Sequence, residues 1–341
     1  MNDFSPLIRS WYRLNKRDLP WRNTIDPYQI WLSEIIMQQT RVEQGLKYYL
    51  KFIQNYPTIL DLANANEQSI LNDWQGLGYY SRARNLHHSA KVIRDEYEGE
   101  FPKDFKTLIK LKGVGVYTAS AISSFANNEN KAVVDGNVYR FLSRVFDIDT
   151  AIDSTEGIKL FQEIANDLLD TKKSGEHNQA IMEMGALICT PKKPSCDKCP
   201  LQVKCLAYSN QTITSRPHKS KKTKVRTRYF HFQIYKEDNT ILLEKREKKD
   251  IWQNLFQFPM IETDNSKTPA TKISIQSRVH QSEVIKHILS HQKLLAVFHY
   301  FDSFPTIIDS KFVKVNIADI QNYPLPRLID KYLEDSSYFF K

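Results

Sequence analysis

Through roughly the first two hundred residues, apolar side chains recur every three or four positions. Examples are Phe105, Leu108 and Ile109, and further along Val138, Phe141, Leu142 and Val145. This spacing places the apolar residues on one face of a helix, and short polar or glycine-containing breaks separate the segments. The pattern predicts an all-helical region that extends to about residue 206.

The pattern changes after Cys205. Residues 209–227 are polar and basic, a composition that buries little and is typical of an exposed linker. Beyond it, Phe230, Phe232 and Ile234 alternate with other residues, and a polar turn over 236–240 leads to a second apolar run, which predicts a β-hairpin. A further strand-like run over 294–301 and an amphipathic stretch near 328–333 indicate an α+β domain. We therefore predict a helical domain over 1–208, a linker over 209–227 and an α+β domain over 228–341.

Composition limits the class of protein. The 341 residues are enough for two domains that each bury a core. The chain begins without the basic and apolar features of a signal peptide, and no apolar run is long enough to span a bilayer, so we expect a cytoplasmic protein that does not contact membranes. The net charge of +9 suggests a polyanionic partner. However, residues 211–228 hold seven basic residues and no acidic one, and subtracting these seven from +9 leaves only +2 elsewhere.

All four cysteines lie in one short segment, at Cys189, Cys196, Cys199 and Cys205. Four thiolates this close in sequence suit either an iron–sulfur cluster or a tetrahedral zinc ion. Structural zinc sites usually use two short Cys-x2–4-Cys pairs, whereas here only Cys196 and Cys199 form one. Two disulfides or four unrelated small side chains are less favoured alternatives, because nothing else in the chain indicates an oxidising compartment.

Residues 105–125 predict a helix, a tight turn and a second helix. Gly113 and Gly115 allow a sharp turn, and the free amides at the start of the next helix, including that of Val116, can bind a DNA phosphate. An isolated Gly-x-Gly would favour an ordinary corner between helices. The whole run from Leu111 to Ala119, however, resembles the helix-hairpin-helix of DNA repair glycosylases.

Two acidic residues are candidates for catalysis, one just before a predicted amphipathic helix and one within a mostly apolar helix. Asp135 precedes the amphipathic helix that begins at Val138, where an aspartate is most simply a helix cap. Glu34 lies on a mostly apolar helix, where burial would favour its protonated form, although periodicity alone also allows it to face solvent.

These elements together resemble the adenine DNA glycosylases of the MutY type over essentially the whole chain. The closest motif matches are Trp-Leu-Ser-Glu at 31–34 with Gln-Gln-Thr at 38–40, Val-Asp-Gly-Asn-Val at 134–138, and Gly-Leu-Gly-Tyr-Tyr-Ser-Arg at 76–82. The resemblance implies an iron–sulfur, [4Fe–4S], cluster on the four cysteines. It also implies a monomeric enzyme that acts on double-stranded DNA at adenine opposite 8-oxoguanine or guanine.

The resemblance also assigns residues in the helical domain. Glu34 would be the general acid and Asp135 would stabilise the positively charged sugar, with Tyr117 and Asn137 tuning the two carboxyls. The adenine pocket would use Arg17, Trp21, Arg22 and Glu183, while Gln39 and Tyr79 would enter the base stack. For Tyr79 a buried core position is the alternative, since one of two adjacent tyrosines is often buried. Lys192, Lys193 and Lys198 in the cysteine loop would be candidate phosphate contacts.

The α+β domain resembles the family's Nudix-like domain. Ser290 and His291 match the family's Phe-Ser-His loop, whose serine and histidine contact 8-oxoguanine, although Leu289 replaces the phenylalanine. Phe256 likewise stands where the family usually has tryptophan. No Glu-rich Nudix catalytic box is found, so we expect this domain to recognise a base and not to hydrolyse a nucleotide.

Two other functions remain to be considered. An endonuclease III type enzyme would remove oxidised pyrimidines and cut DNA through a lysine Schiff base. Its hairpin carries that lysine where this chain has Tyr117, and Lys112 lies on the other side of the turn. A non-catalytic DNA-binding or electron-carrying protein would explain the cysteines, but it would not need Glu34 and Asp135 as well.

Overall fold

The computed structural model describes residues 3–220, 225–265 and 278–335. The chain divides into two compact units, Met1–Asn64 with Asn85–Lys221, and Ala65–Arg84 with Lys222–Lys341. Outside the described residues lie 1–2 of the predicted helical domain, 221–224 of the predicted linker, and 266–277 and 336–341 of the predicted second domain. The predicted boundaries at 209 and 228 stay a prediction, to which the structure adds that Ala65–Arg84 groups with the second unit.

The described residues before the linker are helical, as the sequence predicts. The helices are α1 (Phe4–Asn15), α2 (Pro27–Ile36), α3 (Val42–Asn55), α4 (Ile59–Asn64), α5 (Glu67–Asp73), α6 (Ser81–Glu96), α7 (Phe105–Leu108), α8 (Val116–Asn127), α9 (Gly136–Val145), α10 (Thr155–Leu168), α11 (Ser174–Leu187) and α12 (Leu206–Ser209). Short 3-10 turns at Pro20–Arg22, Cys196–Lys198, Gln202–Lys204 and Ile213–Ser215 complete this part.

The core of the first unit packs around α9. Its apolar face, Val138, Phe141, Leu142 and Val145, is fully buried with residues of α1 and α11. These are the positions that helical periodicity selects, so the predicted amphipathic helix is confirmed. Burial of this face fixes the direction of α9 and therefore the position of Asp135, which caps its first turn.

The second unit is built on one mixed sheet. Its strands are β1 (Arg226–Glu237), β2 (Thr240–Lys245), β3 (Phe256–Gln257), β4 (Met260–Thr263), β5 (Arg278–Gln281), β6 (Ile285–Ile288), β7 (Gln292–Phe301) and β8 (Phe312–Asn316). Strands β1 and β7 run parallel in the centre, in register from Arg226 opposite Gln292 to Tyr235 opposite Phe301, and the other pairings are antiparallel. The β1–β2 hairpin turns at Asp238 and Asn239, as predicted.

One face of this sheet is covered by a helix, which completes the predicted α+β domain. Phe230, Phe232 and Ile234 of β1 are buried with Leu328 and Ile329 of the final helix α13 (Arg327–Asp335). His231 and Gln233, which lie between these apolar residues, are buried as well, so the middle of β1 is covered on both faces and not on one face as the alternation predicts.

The segment Ala65–Arg84 is bonded to the α+β domain. The Asn72 side-chain amide donates to the Asn322 carbonyl at 2.8 Å, and the Tyr80 hydroxyl donates to the Leu325 carbonyl at 3.3 Å. The Arg84 guanidinium donates to the Gln253 carbonyl at 2.7 Å. This segment therefore belongs to the second unit by direct hydrogen bonds.

Within the described ranges, no helix combines the length and the apolar character needed to cross a membrane.

Candidate functional sites in the two units

Glu34 is the central candidate of the first unit. Helix α2 begins with Pro27 at its first position, and the Asp26 side chain caps it by accepting from the Tyr28 amide at 2.9 Å. The helix is buried on most sides, so the Glu34 carboxyl lies among apolar groups and is itself partly buried. Its Oε2 atom accepts a hydrogen bond from the Tyr117 hydroxyl at 2.8 Å.

The surroundings of Glu34 favour its protonated form. Burial raises the pKa of Glu34 to about 7, and the nearby negative charge of Asp135 acts in the same direction. The Tyr117 hydrogen bond and the positive charge of Arg22 oppose this rise in the pKa. A substantial fraction of Glu34 is therefore protonated at neutral pH, as a general acid requires.

Asp135 is held by three donors at the start of α9. Its Oδ1 accepts from the amides of Asn137 at 2.9 Å and Val138 at 2.8 Å, while its Oδ2 accepts from the Asn137 side chain at 2.8 Å. Burial raises the pKa of Asp135, whereas the hydrogen bonds from Val138 and Asn137 favour the ionised form. Asp135 is thus a helix cap whose buried carboxyl group is electrostatically coupled to Glu34.

A cavity opens beside Glu34. It is lined by Trp21, Arg22, Ile30, Ser33, Glu34, Phe125, Gln179 and Met182. Trp21 is braced edge-on by Tyr49, with ring centroids 5.0 Å apart. The lining combines flat apolar surfaces with a few polar groups, which suits a planar ligand that carries hydrogen-bonding edges. The sequence pointed to Trp21 and Arg22 but missed Phe125, Ser33 and Met182, because periodicity does not indicate which core residues border a cavity.

Arg17, Arg22 and Glu183 form an ion cluster next to this cavity. The Glu183 side chain is 1% exposed, and its oxygens accept from Arg17 at 2.7 Å and from Arg22 at 2.6 Å. These two arginines hold the pKa of Glu183 down to about 2 despite its burial. Glu183 is not among the residues that line the cavity, whereas its neighbour Met182 is. The predicted contact of Glu183 with the base stays a prediction, and the structure shows that Glu183 positions Arg22.

Asn137 is itself oriented by an arginine that sequence reasoning missed. Arg140, one turn along α9, donates to the Asn137 side-chain oxygen at 2.9 Å, to the Gly185 carbonyl at 2.6 Å and to the Cys189 carbonyl at 2.7 Å. The sequence does place Arg140 on the same face of α9 as Asn137. An exposed pair of side chains three residues apart would have the same spacing, however, so the spacing alone does not indicate that Arg140 orients Asn137.

The four cysteines come together. Cys189, Cys196, Cys199 and Cys205 all line one cavity, and the Arg144 guanidinium lies 3.4 Å from the Cys189 sulfur. In the part of the chain that the structure describes, no three histidine, cysteine or acidic side chains are arranged to hold a single metal ion. The cysteines are free thiols there, not disulfides. Lys192, Lys193 and Lys198 are exposed on this loop.

The helix-hairpin-helix has the geometry that its glycines predict. Gly113 adopts a φ of +84°, and α8 begins after Gly115 without any side-chain cap. The first amides of α8 therefore lack intrahelical partners, and Val116 at the first position is 58% exposed. Phosphate binding by Gly113, Gly115 and Val116 at this end of α8 stays a prediction.

Replacing Gly113 with alanine should destabilise the hairpin. Its positive φ is strained for alanine, and the added Cβ would lie 2.8 Å from the Asn85 Cβ. We expect a loss of about 1–3 kcal/mol in the free energy of unfolding, measured by denaturant titration, together with weaker DNA binding. Gly115→Ala is the control, since its Cβ would meet nothing within 4 Å and its φ is −90°. Equal destabilisation by both substitutions would contradict this account.

The second unit holds the other candidate site. Tyr79 adopts a φ of +48°, is 44% exposed, and its hydroxyl contacts the Ser290 hydroxyl. It is therefore not the buried core tyrosine of the alternative interpretation, because its neighbour Tyr80, 4% exposed, takes that place. A cavity in this unit is lined by Leu77, Gly78, Tyr79, Tyr80, Ser81, Arg84, Asp250, Ile251, Trp252, Ile288, Leu289, Ser290, His291 and Gln292.

Gln39, the other predicted intercalating residue, lies in the first unit. It is exposed and adopts a φ of +54° just after α2. An exposed side chain on a strained turn is compatible with insertion into DNA, and this role stays a prediction.

Comparison with known proteins identifies both domains. A family model described as the HhH-GPD superfamily of base excision DNA repair proteins matches residues 32–166, and a NUDIX domain model matches residues 230–335. Among solved structures, a thermostable thymine-DNA glycosylase aligns with a TM-score of 0.57 at 31% identity, covering 61% of this chain and 96% of that one. A trapped endonuclease III–DNA intermediate, at 21% identity and a TM-score of 0.53, shares the fold.

Curated relatives extend the similarity over nearly the whole chain. The adenine DNA glycosylase of Buchnera aphidicola subsp. Schizaphis graminum is 34% identical over 352 residues, covering 97% of this chain and 98% of the relative. The human adenine DNA glycosylase is 41% identical over 213 residues, which is 60% of this chain and 39% of the human protein. These matches favour adenine removal over both the endonuclease III type activity and a non-catalytic role. The chain therefore belongs to the adenine DNA glycosylases, enzymes that remove adenine from DNA in base-excision repair.

Proposed function

We propose that this enzyme acts as a monomer on adenine opposite 8-oxoguanine or guanine in double-stranded DNA, and that it hydrolyses the glycosidic bond without cutting the backbone. The observation that carries the proposal is the Glu34 carboxyl, whose pKa of about 7 places a proton beside a cavity suited to a planar base. An adenine inside a duplex must first leave the stack, at a cost of a few kcal/mol. Gln39 and Tyr79 would help to fill and widen the gap that it leaves.

The flipped adenine would occupy the cavity between Trp21 and Met182. Glu34 would transfer its proton to N7 of the base, which makes adenine a better leaving group as the C1′–N9 bond breaks. Tyr117, which donates to Glu34 at 2.8 Å, would stabilise the carboxylate that remains. Neighbouring Arg22 would further favour that ionised form after the transfer.

The sugar that loses adenine carries positive charge at C1′. The ionised form of Asp135, which its three donors favour against the effect of burial, would stabilise this charge electrostatically. A water molecule would then bond to C1′ and lose a proton to the Glu34 carboxylate, which leaves an abasic site and restores the acid form of Glu34. The hairpin position where a bifunctional enzyme carries its lysine is Tyr117, so no amine is available there for a Schiff base.

We also propose that the four cysteines hold a [4Fe–4S] cluster. All four line one cavity, and only Cys196 and Cys199 form the short pair of which structural zinc sites usually have two, which favours a cluster over zinc. When bound, the cluster would cross-link the loop and supply no step of the cleavage. It would thereby present Lys192, Lys193 and Lys198 to DNA phosphates, each with a small, salt-sensitive effect.

Ultraviolet–visible absorption tests the cofactor. We expect a brown protein with broad visible absorption and about four iron and four sulfide per chain. Changing Cys199 to serine should abolish this absorption, because it removes a thiolate ligand. A colourless native protein with one zinc per chain would contradict the assignment.

The substrate proposal is tested by single-turnover excision on duplexes with adenine opposite 8-oxoguanine, guanine or thymine. We expect rapid excision opposite 8-oxoguanine, slower excision opposite guanine and none opposite thymine. Ser290→Ala and His291→Ala should reduce the preference for 8-oxoguanine. Strand cleavage without added alkali would overturn the monofunctional proposal, and equal rates opposite all three bases would overturn the proposed specificity.

A further inference from the structure

A buried ion network stands behind the cavity of the second unit. Arg228, at the start of β1, is 7% exposed. Its guanidinium donates to Asp250 at 2.9 and 2.7 Å and to Glu262 through two bonds of 2.7 Å. Arg246 adds a bond to Asp250 at 2.9 Å. Two arginines thus face two carboxylates, and the network carries no net charge.

The charge balance suits a surface that meets DNA. A lone carboxylate in the cavity wall would repel the phosphate backbone, whereas the pairing of Asp250 with Arg228 and Arg246 neutralises it. Asp250 lines the cavity together with Ser290 and His291, but its oxygens are occupied by the arginines. Asp250 therefore holds the side chains of the cavity wall in place and is not the group that contacts a ligand.

Gln292 both contacts this network and lines the cavity. Its side-chain oxygen accepts from Arg228 at 3.2 Å, and because arginine can only donate, the amide oxygen must face Arg228. In the portion of the chain described by the structure, the Gln292 amide nitrogen has no hydrogen-bond partner. Gln292 lines the cavity two residues after Ser290. The cavity wall thus holds an oriented amide with unused N–H donors.

We propose that Gln292 is a further specificity-determining residue, which donates a hydrogen bond to the O8 atom of 8-oxoguanine, and that Arg228 is its positioning residue. The inference rests on the proposed function. 8-Oxoguanine differs from guanine by an acceptor at O8 and a donor at N7, so an N–H donor aimed at O8 gains a partner only with the oxidised base. Arg228 holds the amide oxygen of Gln292, so the amide nitrogen is the group that remains to donate to a base in the cavity.

The test measures the affinity for duplexes that carry a non-cleavable adenine analogue opposite 8-oxoguanine or guanine. Gln292→Met keeps the length of the side chain and removes the donors. We expect it to lower the preference for 8-oxoguanine over guanine about 3- to 10-fold, the value of one hydrogen bond. Arg228→Lys should lower the same ratio, although Arg228 does not line the cavity, because lysine cannot hold both Asp250 and Gln292 in one planar arrangement.

Gln281→Met is the matched control. Gln281 also accepts from an arginine, Arg278, in the same unit, but it does not line the cavity. We expect this variant to keep the native preference. Thermal unfolding identifies any variant that fails to fold. Gln292→Glu, which replaces the amide donor with an acceptor, is a second test, and we expect it to lower the preference for 8-oxoguanine as well.

The outcomes separate this inference from the proposed function. If the native enzyme shows no preference for 8-oxoguanine, the proposed specificity is wrong. If the native preference is present and folded Gln292→Met and Gln292→Glu retain it, the role of Gln292 is wrong while the proposed function stands. An equal loss of affinity for both duplexes would also overturn it, because it would indicate a general contact.

Discussion

Replacing Glu34 with glutamine is expected to slow single-turnover excision of adenine by about 10²- to 10⁴-fold, the range for loss of a general acid. Glutamine has nearly the same shape and can still accept from the Tyr117 hydroxyl, so the cavity should be preserved. It cannot transfer a proton, and adenine would have to leave unprotonated. The measurement is rapid-quench excision with enzyme in excess over a duplex that carries adenine opposite 8-oxoguanine.

A control variant and a binding measurement show whether the slower excision by Glu34→Gln reflects the loss of its proton. Glu156→Gln, an exposed change in the first turn of α10, should leave the rate at the native value. Affinity for a non-cleavable duplex should change little in Glu34→Gln, because the loss concerns the chemical step. A Glu34→Gln enzyme that excises adenine at the native rate would remove Glu34 from the mechanism.

The second large effect is expected for Asp135→Asn. Asparagine is as good a helix cap as aspartate, so it can keep the bonds from the Asn137 and Val138 amides and preserve the start of α9. It loses the negative charge that would stabilise the sugar cation, together with the oxygen that accepts from the Asn137 side chain. We expect excision to fall about 10²- to 10³-fold, as for loss of a main electrostatic stabiliser.

Circular dichroism and thermal unfolding of Asp135→Asn should match the native protein to within a few degrees. If the variant is unfolded, the loss of excision activity results from the loss of the helix cap. If the variant is folded and excises adenine at the native rate, Asp135 is only a helix cap. The change therefore separates the structural role of Asp135, which the structure shows, from its proposed chemical role.

Local periodicity and resemblance together predicted most of the fold. The buried face of α9 and the β1–β2 hairpin were predicted because each follows from the spacing of apolar residues along a few turns or one strand. Asp135 could be predicted at the start of α9 for the same reason. The resemblance added the pairing of Glu34 with Tyr117, which are distant in sequence and meet through a bond of 2.8 Å.

Other features depend on packing that the sequence does not encode locally. The helical pattern of Ala65–Arg84 gave no sign that this segment groups with the α+β domain, because helical spacing shows which face is apolar and not what covers it. Likewise, no local pattern indicates that Glu183 is bound by Arg17 and Arg22, and its contact with the base stays a prediction. Arg228 and Gln292 join only through the parallel pairing of β1 and β7.

The central claim is that a buried, protonated Glu34 drives adenine excision, and the pH dependence of single-turnover excision tests it most directly. The acid form is the active one, so the rate should fall as the pH rises through about 7, the pKa of Glu34. In Tyr117→Phe the bond that favours the carboxylate is lost, which should raise that pKa and move the fall to higher pH. A rate that stays constant or increases between about pH 6 and pH 9 would contradict the account.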